Sequence, residues 1–314
     1  MKRIAVTGTT GFLGGALLHA LKAEFHVDVV SMKRRALSDS EIELDLSTHF
    51  QVEQALHDKK IDVLVHCAAR AHILDDKASN PLDEYRKINT LATIQLAEQA
   101  AAAGVTRFVF ISTAKVNGEL SQPNHTLTEV VTDTPQDPYA MSKYEAEVAL
   151  QQIAKKTGMD VVVVRPPLVY GVGVKANFAA LMKLSQTSMP LPFGGINNRR
   201  SLVFLDNLVD AIICCTSHPL AANQTFLVTD DDDVSTTQLL RILAQAYNKH
   251  ITLLSIPTTW LTRLLRMLGK KNMAERLFGS LQFDISHIKQ TLKWTPPYSF
   301  EQGIQKTIKD SKTQ

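Results

Sequence analysis

The chain has 314 residues, 45% of them apolar, with 34 basic and 31 acidic side chains and a formal net charge of +3. That is enough apolar material for a large core, as one α/β unit or two fused ones, and the mildly basic balance fits a small anionic ligand and excludes the footprint of a nucleic-acid binder. Three cysteines, Cys67 and the adjacent Cys214 and Cys215, have neither disulfide-framework nor zinc-like spacing, so a reduced cytoplasmic setting is expected.

The stretch from Lys2 to Leu21 reads as strand, glycine turn, helix: an apolar strand Arg3–Thr7, glycines at Gly8, Gly11 and Gly14, then an apolar helix Phe12–Glu24. Gly8 can make the turn, Gly11 admits a ligand to the backbone, and Gly14 lets helix and strand pack closely. With the unpaired N–H groups of a helix start, this suits a pyrophosphate; an ordinary glycine-rich βα turn looks the same. Thr7–Gly15 also breaks the apolar run too early for a signal-peptide core, and no run nears the ~20 residues that span a bilayer. A soluble protein is expected.

Strands are predicted at Val27–Met32, Glu41–Leu44 and Asp62–Cys67, with a helix near Thr48–Asp58. The third of these strands is apolar in the manner of a buried parallel strand. Asn80-Pro81 opens a long helix that ends near Gly104. A strand at Thr106–Ser112, a helix at Tyr139–Lys156 and a strand at Asp160–Arg165 follow. Such alternation over residues 1–166 predicts a doubly wound parallel sheet.

After Pro166-Pro167 the elements shorten: a helix near Asn177–Gln186, a Pro/Gly loop at Met189–Gly195, a strand at Ser201–Leu205 and a helix at Asp206–Ser217. A strand at Thr225–Thr229, a helix at Ser235–Asn248, a strand at Ile251–Ser255 and two or three helices complete the chain. Residues 167–314 are read as a smaller domain closing over the mouth of the sheet, with segments near 200–230 free to return to it. The run Asp230–Asp233 reads as a solvated loop capping the next helix. Trp260–Leu268, amphipathic and followed by Lys270-Lys271, reads as a core-packed helix, with a membrane-surface contact as the alternative.

Three side chains carry the candidate chemistry. Tyr139 and Lys143 are spaced i, i+4, on one helix face, and Thr113 follows the strand Thr106–Ser112. A Lys ammonium and an oxidised nicotinamide ring both favour phenolate, bringing a phenol pKa of ~10 toward neutrality. With Thr113 hydrogen-bonding the same oxygen, the trio serves proton transfer to a carbonyl while hydride moves.

On these motifs the chain resembles the extended short-chain dehydrogenase/reductases of the nucleotide-sugar epimerase/dehydratase group. TGTTGFLGG from Thr7 matches its T-G-x-x-G-x-x-G pattern, His66-Cys-Ala-Ala69 its H-x-A-A, and Asp45-Leu46 the pair whose aspartate meets adenine. Asn89 matches its long-helix asparagine, and Ser112-Thr113 with Tyr139 and Lys143 its catalytic set. The resemblance implies a Rossmann-like domain and a smaller substrate-binding domain. It implies cofactor contacts from Gly8, Thr10, Gly11, Phe12, Leu13, Gly14, Asp45, Leu46, Cys67, Ala68, Ala69, Asn89, Ser112 and Pro166. By the same resemblance Thr113 polarises the substrate oxygen, Tyr139 is the acid–base, Lys143 holds the nicotinamide ribose, and Asn89 braces a backbone kink or water. Lys115, Asn177, Arg200 and Arg276 fall where the group binds a UDP-sugar, and arginine suits a diphosphate through its two-pronged fork. A surface salt bridge is the competing reading of the arginines. A homodimer through the two long helices is the group's habit.

Departures narrow the chemistry. Ala114-Lys115 stands where the dehydratases carry an acidic pair, so dehydration is not expected; Val116-Asn117-Gly118 replaces V-Y-G, and Leu168 ends the group's R-x-x-N. His72 is a candidate sugar contact or a plain loop residue. The second strand ends Ser31-Met32-Lys33-Arg34-Arg35 with no acid for a ribose 2′-OH, so Lys33 and Arg34 point to NADP(H), with NAD(H) and a merely solvated turn as alternatives. The expected activity is NADP(H)-dependent C4 reduction of a UDP-4-keto-6-deoxy-N-acetylhexosamine for bacterial surface polysaccharide. The alternatives are a UDP-glucose or UDP-GlcNAc 4-epimerase using NAD, and a non-catalytic NADP(H) sensor or scaffold.

Overall fold

The computed structural model describes residues 2–24, 26–70, 80–122, 125–267, 269 and 271–311, with side chains omitted at 176, 177, 271 and 272. The strands are β1 (Lys2–Thr7), β2 (Val27–Lys33), β3 (Ile42–Glu43), β4 (Val63–His66), β5 (Arg107–Ile111), β6 (Asp160–Arg165), β7 (Leu168–Tyr170), β8 (Leu202–Phe204) and β9 (Thr225–Leu227). Seven of them form one parallel sheet in the order β3-β2-β1-β4-β5-β6-β9; β7 and β8 pair separately.

Alternating side chains build a core on each face of this sheet, because successive residues of a strand point to opposite sides. Ile4, Val6, Val63, Val65, Val109 and Val162 face one layer; Ala5, Leu64, Phe108, Phe110, Val161 and Val163 face the other. The first layer is covered by α1 (Phe12–Ala23), and the second by α2 (Glu53–Asp58), α4 (Ala92–Ala102) and α5 (Pro138–Thr157). Between α2 and α4 lies α3 (Pro81–Tyr85), joined to α4 by a π-helical turn, Arg86–Leu91. The long helix opened by Asn80-Pro81 is thus real but interrupted; Asn80 caps it by accepting from the Asp83 N–H. The helix expected near Thr48 begins only at Glu53, after Phe50 and Val52 have entered the core.

The second half contributes α6 (Ala176–Leu184), α7 (Leu205–Ser217), α8 (Thr236–Ala246), α9 (Thr258–Met267), α10 (Lys271–Phe278), α11 (Ser286–Leu292) and α12 (Phe300–Ser311). The chain recrosses the division expected at residue 166: α7 packs on α1, β9 becomes the seventh strand, and Ile288, Leu292 and Trp294 join the first core layer. A third cluster around Tyr170, Phe178, Phe204, Leu243, Phe300 and Ile304 makes the smaller lobe.

Four expectations for this half are corrected. Residues 251–255 form no strand but a single bridge, Leu191 to Leu253, because Pro190 and Pro192 beside Leu191 lack the N–H groups a longer ladder needs. Asp230 is buried, not solvated: its carboxylate accepts from the Phe204 N–H (2.8 Å), the Asn207 amide (2.7 Å) and the Tyr170 hydroxyl (2.7 Å). Burial nonetheless raises its pKa to about 6. Helix α8 is capped by Ser235 itself, in a capping box with Gln238. Helix α9 is not core-packed, burying none of its residues, and four helices, not two or three, follow residue 255. Among the described residues no helix is long and apolar enough to cross a membrane.

His66 ties β1, β4 and α4 together. The Ala68 N–H donates to Thr7 Oγ1 (3.0 Å), whose own proton is assigned to His66 Nδ1 (2.8 Å), and Nε2–H then donates to Thr93 Oγ1 (3.0 Å). Burial, with Lys143 adding, lowers the His66 pKa to about 3, so the ring is neutral. An unfolded histidine titrates near ~6.5. The unfolded chain therefore binds more protons below that value, and the stability held by His66 is complete above pH ~6.5 and lost as pH falls toward 3. Urea midpoints measured from pH 7 to pH 4 are expected to fall, with a shallower slope in His66→Gln.

Candidate active site

The sheet reverses direction of growth between β1 and β4, where doubly wound sheets bind ligands at the C-terminal strand ends. The glycine turn sits there. A Cβ on Gly14 would lie 2.3 Å from the Gly8 carbonyl oxygen, and one on Gly8 2.8 Å from the Ala68 nitrogen, so only glycine permits this approach. Gly8 also has φ +70°. Gly11 is the N-cap of α1 and offers no side-chain cap, leaving the first N–H groups of the helix to an anion. These features fit the pyrophosphate of a nicotinamide dinucleotide. Thr10 and Gly11 are exposed at the rim, and Leu13 half-buried behind them. A hydrogen bond from Thr9 to Ser31 (2.6 Å) locks the turn to the end of β2.

The basic end of β2 is partly spoken for. Lys33 pairs with Glu41, and Arg34 lies 3.7 Å from Asp45; Arg35 is exposed. Asp45 is oriented by Ser47, whose hydroxyl and N–H hold its carboxyl below the ordinary range, and Leu46 beside it is half-buried.

Lys143 is buried in the floor of the site. Its Nζ donates to the Ile111 carbonyl (2.8 Å) and lies 4.4 Å over the Phe110 ring, and burial lowers its pKa to about 8. Burial also pushes the neighbouring Cys67 thiol up to about 12. Tyr139, one turn earlier on α5, meets Tyr85 edge-on at 5.8 Å. Its phenol is raised by burial, with Asp137 and Tyr85 adding. The lowering expected from Lys143 is not found in the protein alone, because that ammonium is directed to Ile111. Thr113 lies two residues beyond Ile111 and caps a short 3-10 turn, Ala114–Asn117, by accepting from the Lys115 N–H. Lys115 reaches back to Asp137 (3.3 Å), the N-cap of α5, and to Glu119 (3.0 Å), drawing Thr113 and Tyr139 to one place. A cavity of about 470 Å³ opens beside them, lined by Lys115, Glu119, Gln122, His125 and Asp137.

Asn89, in the π turn, donates to the Arg70 carbonyl (3.1 Å) and Ser142 Oγ (3.1 Å) and accepts from the Arg70 N–H (2.9 Å). It braces the backbone that follows Cys67, Ala68 and Ala69. His72 lies outside the described residues. Ser112 is turned inward: its hydroxyl bonds Glu147 and its N–H the Val164 carbonyl (2.8 Å). Pro166 is buried and accepts from the Ala114 N–H (2.9 Å), fixing the turn after Thr113.

Sequence reasoning missed a buried ion pair behind the site. Arg165 donates to Glu147 through Nε (3.0 Å) and Nη2 (2.5 Å), and through Nη1 to Asn117 (3.2 Å) and the Glu129 carbonyl (2.8 Å). The signal was present, since Glu147 continues the i, i+4 series from Tyr139 and Lys143. Asn117, in the altered V-N-G, also donates to the Thr128 carbonyl (2.7 Å) and so holds the segment that walls the cavity.

Arg200 and Arg276 are brought together across the smaller lobe. Arg200 is half-buried, donates to the Gly279 carbonyl (2.9 Å), and is pushed below its ordinary pKa by burial and then by Arg276, with Glu119 opposing. Like charges this close favour negative charge between them. Asn177 begins α6 in backbone only.

Comparison with known proteins agrees with this geometry. The model of the NAD dependent epimerase/dehydratase family matches residues 4–228. A UDP-glucose 4-epimerase of Vibrio cholerae is 45% identical, the match covering 98% of this chain and 94% of that one. Among solved structures, the UDP-N-acetylglucosamine 4-epimerase of Bacillus cereus superposes with a TM-score of 0.80 at 18% identity, covering 99% of this chain and 100% of that one. A UDP-glucose 4-epimerase of Thermotoga maritima with UDP-glucose gives 0.77 at 21%, covering 99% of each. The chain is a member of the NAD dependent epimerase/dehydratase family.

Proposed function

We propose that this protein interconverts C4 epimers of a UDP-hexose, UDP-glucose or UDP-GlcNAc, with NAD bound at the β1–α1 turn. What supports the reading is the 45% identity to the Vibrio cholerae epimerase, with Lys143 bonded to the Ile111 carbonyl two residues before Thr113 and Tyr139 one turn earlier on the same helix. A nicotinamide held there would supply the acceptor for the C4 hydride and its later return. Tyr139, as the phenolate that an oxidised nicotinamide would favour, takes the O4 proton as hydride leaves C4 and returns it when hydride comes back to the other face. Thr113 hydrogen-bonds the same oxygen. Lys143 spends one donor on Ile111 and has two left for the ribose. Arg200 and Arg276 hold the diphosphate, and Asn177 and Lys115 are further candidate contacts to the UDP-sugar. Lys33 and Arg34, each beside a carboxylate, leave less charge for a 2′-phosphate, in keeping with NAD.

The second reading, NADPH-dependent reduction of UDP-2-acetamido-2,6-dideoxy-hexos-4-ulose for surface polysaccharide, draws on the absence of an acid at the end of β2. A homodimer belongs to either reading: Leu91 and Val148, 60% and 41% exposed, mark the outer faces of the two long helices. A cytoplasmic setting fits the free Cys67, Cys214 and Cys215.

Tyr139→Phe is expected to cut turnover on the order of 10²-fold or more while dinucleotide binding persists; an unchanged rate removes the phenol from the chemistry. Incubation with UDP-glucose or UDP-GlcNAc is expected to give epimers without net change in nicotinamide absorbance. Stoichiometric NADPH consumption with the 4-keto sugar, and tighter binding of NADPH than NADH, would transfer the assignment to the reductase. Light scattering at micromolar concentration is expected to return twice the chain mass, and less on Leu91→Glu.

A further inference from the structure

Helix α9 buries none of its ten residues. Trp260, Leu264 and Met267 are 71%, 54% and 86% exposed, and their i, i+4, i+7 spacing puts them in one stripe. Leu261 and Leu265 are half-buried on the adjoining face, and Arg263 and Arg266 are exposed on the other flank. Charge around the stripe has one sign. From Val234 to Ala274 the sequence contains no Asp or Glu, but Arg241, Lys249, Arg263, Arg266, Lys270 and Lys271. Arg241, Lys249, Arg263 and Arg266 are exposed, and none pairs with a carboxylate among the described residues.

We propose that α9 docks this protein on an anionic lipid surface, lying in the plane of the interface with Trp260, Leu264 and Met267 inserted and the basic side chains among the headgroups. A strongly amphipathic helix with tryptophan and leucine on one face and arginine on the other has that disposition. The charge excludes the main competitor. A second copy would bring an unneutralised cationic flank against its like, and three side chains on a helix about 15 Å long fall short of the ~800 Å² that a stable interface buries per partner. A lipid surface needs neither area nor shape, only apolar depth and negative charge. Because α9 packs on α10, which carries Arg276, docking sets the Arg200–Arg276 end of the site near the surface.

The test is flotation of the full chain with vesicles of phosphatidylcholine alone or mixed with phosphatidylglycerol, at low and high salt. Binding to the mixed vesicles only, weakened by salt, is expected, with a blue shift of Trp260 emission against the constant, buried Trp294. Leu264→Glu and the double variant Arg263→Gln/Arg266→Gln should each reduce binding at least tenfold and leave turnover in free solution unchanged. Both positions are exposed, and circular dichroism verifies the fold. No binding, equal binding to neutral vesicles, or binding indifferent to Leu264→Glu overturns the proposal. So does a loss of self-association in Leu264→Glu without vesicles, which would give the stripe to a second copy.

Discussion

The helix that carries Tyr139 and Lys143 depends on a charge pair that water cannot reach. Glu147 and Arg165 are both buried, one on α5 and one closing β6, and their two-point contact fixes how deeply α5 sits on the sheet. Removing one partner of such a pair costs about 3–5 kcal/mol, since the other is left charged and dry. Ser112 adds a third hydrogen bond to Glu147, which pins the residue just before Thr113 to the helix that carries Tyr139 and Lys143. Arg165 extends the same network to Asn117 and the Glu129 carbonyl. One ion pair thus sets helix depth, strand end and cavity wall together.

The electrostatics above this pair are those of a site prepared for a charged guest. Lys143 is brought down to about 8 by burial, while the Tyr139 phenol is driven upward. In the smaller lobe Arg200 and Arg276 repel one another. Each group is thereby held at a free-energy cost that positive charge near the phenol, or negative charge near the arginines, relieves.

Local chemistry explains what the sequence disclosed. Every strand of the main sheet was legible because apolar residues there form short runs bounded by turns, and β6 was placed to the residue. The glycine turn, the i, i+4 pair of Tyr139 and Lys143, and the helix start at Asn80-Pro81 are all decided within one or two helical turns. Failures came where partners are distant in sequence. Asp230 looked solvated among four aspartates, yet Phe204, Asn207 and Tyr170 bury it. The Ser112 hydroxyl bond to Glu147, 35 positions later, was likewise not legible. The 251–255 segment alternates like a strand, but its neighbour proved to be a proline loop. For α9, amphipathicity was plain, and which face met the protein was not.

The return of β9 to the main sheet carries a cost during synthesis. When residue 165 leaves the ribosome, β6 is an open edge of apolar strand with free hydrogen-bonding groups, and its partner is some sixty residues from being made. Such a nascent chain is a template for adventitious pairing until Thr225–Leu227 arrives, and the long separation slows the final closure. Only the first part of the smaller lobe, Tyr170 to Phe204, is therefore made before the larger one can be sealed. Shortening the chain anywhere ahead of residue 227 should yield aggregate, not an isolated nucleotide-binding unit.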